Sequence, residues 1–128
     1  MFSGEAGSGP SMEAVVRRLS SLAGVSMVMI LGPGGEELYR WYKTSADKLR
    51  IGVGPEDVLG IMDRVSSFLS KASSGPLEDV IIRAGNRVAV IRSAGDSLLI
   101  TVAEKTANLA LLLIRSRSAA EELSKLTG

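Results

Sequence analysis

Apolar residues at Met12, Val15, Val16, Leu19, Leu22 and Ala23 recur at three- and four-residue steps, the spacing of a helix with one buried stripe. Ser11 stands where an N-cap belongs, and Gly24 supplies the C′ stop. Val25–Leu31 (VSMVMIL) is apolar at both parities, which predicts an interior strand covered on both faces. Gly32-Pro33-Gly34-Gly35 forces a turn into a second, more polar strand over Glu36–Lys43. Residues 44–54 form a longer connection. Pro55 suits a first helical turn, and Glu56 and Asp57 complement the helix dipole there; this second helix runs to Ala72 and is ended by Gly75-Pro76. Three short strands follow, Leu77–Ala84, Arg87–Ser93 and Leu98–Ala103, separated by the hairpin signals Gly85-Asn86 and Gly95-Asp96. Thr106 or Asn108 caps a third helix that turns Leu109, Leu112, Leu113, Leu123 and Leu126 to the core. The order α-β-β-α-β-β-β-α predicts an α+β fold. It has a five-stranded antiparallel sheet, with helices one and three on one face and helix two on the other.

The two hairpin turns fix the register of the last three strands, and parity then assigns faces. Val80, Ile82, Ala89, Ile91, Leu98, Ile100 and Val102 share one wholly apolar face. Asp79, Ile81, Arg83, Val88, Val90, Arg92, Leu99, Thr101 and Ala103 share the other, with Asp79 opposite Arg92 as a cross-strand charge pair. Helices one and three are expected over the apolar face, leaving helix two alone over the mixed one. One helix is about 10 Å across, and five strands at about 4.8 Å spacing span more than that. Helix two carries a matching excess. Its apolar arc, with Leu59 and Phe68 at the margins and Ile61, Met62, Val65, Leu69 and Ala72 between, covers about 180° where about 100° suffices to sit on a sheet. Ser66 and Ser70 beside the Leu59 margin permit close approach. Either the helix sinks deeper into its own core, or a second copy packs alongside with the Leu77–Ala84 edge strands meeting at a two-fold axis. On the second reading Leu59, Met62, Ser66 and Leu69 form the helix seam. Val80 and Ile82 lie on the meeting strand, with side chains in the core and main chain setting the register.

Composition narrows the chemistry. The chain of 128 residues has neither cysteine nor histidine, which excludes thiol and imidazole nucleophiles, Cys/His zinc sites and disulfides. Lys and Arg number 15 against 14 Asp and Glu, too even a balance for a dedicated nucleic-acid binder. The longest apolar run, Leu109–Ile114, falls far short of the ~20 residues that span a bilayer, so no membrane insertion is expected. No signal peptide is legible and a cytoplasmic protein is the default expectation. Residues 1–10, rich in Gly and Ser, read as a flexible tail before one domain over 11–128.

No motif supplies catalysis. Gly32-Pro33-Gly34-Gly35 lacks the Lys-Ser/Thr of a phosphate-binding loop, and Gly52-Val53-Gly54 has Asp57 where a dinucleotide fingerprint needs its last glycine. The acid pairs Glu36-Glu37, Glu56-Asp57, Glu78-Asp79 and Glu121-Glu122 sit at turns, element starts or a helix surface, where solvated charge is the simpler reading. Arg83, Arg87 and Arg92 read as a solvated face partly neutralised by Asp79. No catalytic residue, cofactor or metal ligand is therefore assigned. Leu38–Lys43 holds Tyr39, Trp41 and Tyr42, three of the five aromatics, interleaved with Arg40 and Lys43. This stretch packs as an edge strand or anchors a protein partner, with base stacking the least favoured use. Tyr39, Arg40 and Trp41, with Asp63 and Arg64 on the polar side of helix two, form the candidate partner surface.

The opening VVRRLSSLAGVSMVMILGPGGEEL, the stretch Ala107-Asn108-Leu109-Ala110-Leu111-Leu112-Leu113-Ile114 and the amphipathic Arg117–Leu126 after it resemble the roadblock/dynein light chain family. The similarity runs from Ser11 to the C-terminus, although the family commonly has Gly where this chain has Ala110. It implies a profilin-like or longin-like layered fold, a single roadblock-like domain over 11–128, and dimerisation through helix two and the third strand. It implies no chemistry of its own. Many members are platforms or regulators for Ras-like small GTPases, bacterial ones among them, and others are adaptor subunits of dynein or of membrane-signalling scaffolds. The expected function is thus a homodimeric, non-enzymatic regulator or scaffold for a Ras-like small GTPase. An adaptor or a small-ligand sensory module of the same fold is the alternative.

Overall fold

The computed structural model describes residues 11–127, so the tail expected at 1–10 lies outside it. The elements are α1 (Met12–Ser20), β1 (Val25–Leu31), β2 (Glu37–Tyr42), α2 (Ser45–Arg50), α3 (Pro55–Lys71), β3 (Asp79–Arg83), β4 (Arg87–Ala94), β5 (Ser97–Glu104) and α4 (Leu109–Thr127). The strands form one antiparallel sheet in the order β2-β1-β5-β4-β3. All seven residues of β1 are buried, as its double-sided apolar pattern requires. The hairpin registers agree with the turn signals, including Asp79 opposite Arg92.

Local chemistry explains the helix ends. The Ala14 N–H donates to Ser11 Oγ at 3.2 Å and the Leu111 N–H to Asn108 Oδ1 at 3.0 Å, so Asn108 rather than Thr106 caps α4. Before α3 the Asp57 carboxylate accepts from the Gly54 N–H at 2.9 Å. The first helix ends at Ser20, ahead of the expected stop at Gly24. Gly24 serves instead as the corner into β1. Its φ is +91°, and a Cβ there would meet Ala107 Cβ at 2.9 Å, so only glycine lets the chain pass so close to the α4 entry. α2 lies inside the stretch expected as a plain connection. Thr44 Oγ1 accepts from the Asp47 N–H at 3.0 Å, and the helix buries none of its residues, so no apolar period announces it.

The helices divide between the faces in the expected two-and-one manner, but the faces are exchanged. α1 and α4 cover the mixed face: Val15, Val16, Leu19, Leu112, Ala119, Ala120 and Leu123 pack with Val25, Val28, Ile30, Val88, Val90, Leu99 and Ala103. α3 covers the wholly apolar face, where Val58 joins Met27, Met29, Leu31, Ile91, Ile100 and Val102. The count of polar residues misleads because it weights the rim equally with the centre. Asp79 and Arg83 lie on the edge strand β3 and Arg92 pairs with Asp79 beside it, so the middle of that face is apolar except for Thr101. A bulge at Ser26 switches the parity of β1, so Val25 and Val28 share a face. Leu126, expected in the core, is exposed at the end of α4.

One ion pair fastens α1 to α4. Arg18 donates from Nε and Nη2 to the two carboxylate oxygens of Glu122 at 2.7 and 2.8 Å. This hydrogen bonding holds the Glu122 carboxyl below its ordinary range.

Ile100, fully buried beneath α3, should cost about 2–5 kcal/mol when replaced by Ala, measured as a lower urea midpoint with unchanged slope. Because the folded pKa of Glu122 is depressed, its contribution is present above the unfolded carboxylate pKa and disappears as pH falls through the folded one. Glu122→Gln should therefore be less stable than the parent near neutral pH, and the two melting curves should converge in acid.

Candidate functional site

α3 is the least buried of the long elements. Val58 alone of its 17 residues is buried, although the helix carries an apolar arc on about half its circumference. Ile61, Met62, Val65 and Leu69 are half-buried, Leu59 is 41% exposed and Phe68 69% exposed. The margins behave differently. Leu59 leans on the β1–β2 turn, where a Cβ on Gly35 would stand 2.9 Å from Leu59 Cδ1. Met62, Ser66 and Ser70 line a groove of about 530 Å³ that is closed on its far side by Gly75, Pro76 and Leu77. The serine margin thus faces this chain's own α3–β3 connection. Phe68, on the opposite margin, has the most exposed apolar side chain of the helix. Its place at the limit of the arc is the sequence signal for this exposure.

β3 lies at the end of the sheet with β4 as its single partner, so its outer main-chain groups are unpaired by any strand among the described residues. Val80 is half-buried under α3, whereas Ile82 on the same face is 39% exposed. The expectation that both side chains point into a closed core therefore holds for neither in full. The apolar face is wider than the helix that covers it, and β3 is the strand left over. Ile81 on the reverse face is exposed too.

The second candidate surface does not form one patch. Tyr39 and Trp41 are half-buried against the cluster under α1 and α4. Arg40 and Tyr42 point to the other side. The Arg40 guanidinium donates to both Glu37 oxygens at 2.7 and 3.1 Å, to Tyr42 Oη at 2.7 Å and to Met29 Sδ at 3.0 Å. It also lies 5.8 Å from the centre of the Tyr42 ring. Bonding to Glu37 raises its pKa further, so the charge is permanent. The Tyr42 hydroxyl in turn donates to the Ile51 carbonyl at 3.1 Å, which fixes the chain leading to α3. Arg40 is a structural clasp. Asp63 and Arg64 are exposed on the outer side of α3, in a different layer from Tyr39 and Trp41.

Two of the three arginines on the β3–β4 hairpin are paired. Arg92 is bonded to Asp79, and Arg87 reaches Asp47 of α2 at 3.8 Å. Among the described residues no three acidic side chains are grouped so as to hold a metal, and no helix is long and apolar enough to cross a membrane. What the arrangement offers is surface: two sheet edges and a half-covered helix.

No family model matches the sequence, and no curated protein matches it by sequence search. Solved structures do match in shape. MglB of Myxococcus xanthus superposes with a TM-score of 0.75 at 16% identity, over 90% of this chain and 93% of that one. The gliding protein MglB of Thermus thermophilus gives 0.72 at 16% identity, over 93% and 92%. A roadblock/LC7 domain from Streptomyces avermitilis gives 0.70 at 14% identity, over 87% and 92%. The layered sheet, the two-and-one division of its long helices and these likenesses together establish that the chain has a roadblock-like fold.

Proposed function

We propose that the protein is a homodimeric, non-enzymatic regulator or scaffold in the cytoplasm that engages a Ras-like small GTPase by surface contact. The observation that carries the dimer is the mismatch between α3 and the face beneath it. Val58 is the helix's only buried residue, and Ile82 is left uncovered beside an open strand edge. A second copy answers both. Two β3 edges pair across a two-fold axis, and a second α3 brings cover to Leu59, Met62, Ser66, Leu69, Val80 and Ile82. Such a seam is isologous and doubles the exposed outer side of α3, including Asp63 and Arg64, into one composite face. Several of the similar structures are MglB proteins, one of them in a tetrameric arrangement, which supports assembly of copies as the working form.

The GTPase partner rests on the roadblock-like fold and on the resemblance of the Ala107–Ile114 stretch. With no histidine in the chain and none of its ten arginines marked as a finger, the proposed effect on nucleotide hydrolysis is a bias on the partner's switch-loop populations.

Met62→Glu should convert dimer to monomer in light scattering. Leu59→Glu, at a seam position already 41% exposed in one subunit, should weaken the association as well. A parent protein of monomeric mass at high concentration, or an unchanged mass in both variants, argues against the seam. Co-purification with a nucleotide-loaded Ras-like protein, lost in the monomeric variants, is the outcome expected for the partner.

A further inference from the structure

The opposite edge of the sheet has a character of its own. β2 pairs with β1 alone, leaving its outer main-chain groups without a strand partner among the described residues. The Lys43 N–H donates to the Ser26 carbonyl at 2.9 Å, and Tyr42 stands opposite Met27 in the same ladder. Antiparallel alternation then turns the main-chain N–H and C=O of Tyr42 and Arg40 outward. Along this edge runs a groove of about 570 Å³ lined by Arg40, Trp41, Tyr42, Lys43, Thr44, Ser45 and Lys48.

No acidic residue lines it. The two nearest in sequence are already engaged, Glu37 by Arg40 at 2.7 Å and Asp47 by Arg87 at 3.8 Å. Lys43 and Lys48 are exposed and make no ion pair among the described residues, and Arg50 is exposed on the same short helix as Lys48. α2 thus turns its one acid inward and leaves its cations outside.

We infer that the β2 edge binds an extended, acidic peptide segment of a partner protein, which adds as a sixth strand while its carboxylates meet Lys43 and Lys48. Outward N–H and C=O groups recur with the spacing of a strand, so the ligand must offer both donors and acceptors along its backbone. A phosphate chain offers acceptors alone, and a lipid headgroup has no donors and acceptors repeating at strand spacing, which favours peptide over nucleic acid or membrane. This site is at the other end of the sheet from β3, and it stands or falls independently of the α3 seam and of any GTPase.

Trp41 is the only tryptophan in the chain and lines the groove, so its emission reports occupancy directly. The probes are three acetylated heptapeptides: alternating Glu and Val, the same Glu/Val sequence with every backbone nitrogen methylated, and alternating Lys and Val. The Glu/Val peptide should give a saturable change in Trp41 emission and slow amide exchange at Tyr42 and Arg40. Lys43→Glu combined with Lys48→Glu, both at exposed positions, should weaken it by about tenfold or more with the melting temperature retained. The Lys/Val peptide should not bind. The methylated peptide has the same charge and no N–H left to donate, so it cannot form a ladder and should not bind either. An equal response to the methylated peptide overturns strand addition, and a response indifferent to charge reversal overturns the lysine contacts. Absence of any saturable response to Glu/Val overturns the site. So does a Trp41 change seen with anionic vesicles or oligonucleotides and not with that peptide.

Discussion

A single sheet with two apolar faces has to be roofed on both, and here the roofing is unequal. α1 and α4 lie together over Val88, Val90, Leu99 and Ala103, and the core they make with β1 is closed. α3 works alone over Met29, Ile91, Ile100 and Val102, and its width ends before the sheet does. Most of what the molecule exposes follows from that difference. The closed layer supplies stability. The half-closed layer supplies surface, because burial that one helix cannot complete must come from another molecule or remain wet.

Much of this was legible in the chain. β1 declared itself by apolar residues at both parities, the hairpins by Gly85-Asn86 and Gly95-Asp96, and α3 by Pro55 followed by two acids. The register placing Asp79 against Arg92 followed from turn position alone. Other features were hidden, each for a physical reason. α2 is held by a Thr44 cap and a single inward Asp47, and six residues without burial leave no periodic trace. Which face takes two helices does not follow from a count of polar residues, because Asp79, Arg83 and Arg92 gather toward the β3 rim and only Thr101 interrupts the apolar middle. Arg40 looked like a free cation beside two aromatics. Strand alternation instead puts it on the other face, where Glu37 and Tyr42 hold it. Which margin of α3 stays exposed was beyond a helical wheel, since the serine margin is met by a loop, Gly75 to Leu77, that has no period at all.

The two edges of the sheet solve the problem of unpaired backbone in different ways. β3 is short, five residues, and carries Ile81 and Ile82 uncovered, so it is poorly defended against another strand. β2 is flanked by Lys43 and Lys48, and lysine at an edge repels a second copy of the same edge. An edge defended by like charge favours a strand that carries the opposite charge. The asymmetry therefore sorts partners: one edge suits self-association, and the other refuses it.

The way α3 is fastened has a bearing on motion. Its entry is pinned by the Tyr42 hydroxyl at Ile51 and by Asp57 at Gly54, and its exit by the Ser74 hydroxyl on the Leu69 carbonyl. Between these pins only Val58 is buried. Such a segment is a strap buckled at both ends and slack in the middle. In a lone subunit its amides should open to solvent as one unit, well before the strands under it or the α1–α4 layer release theirs. Assembly would then act less by adding contacts than by tightening a part of the molecule that folding by itself leaves loose.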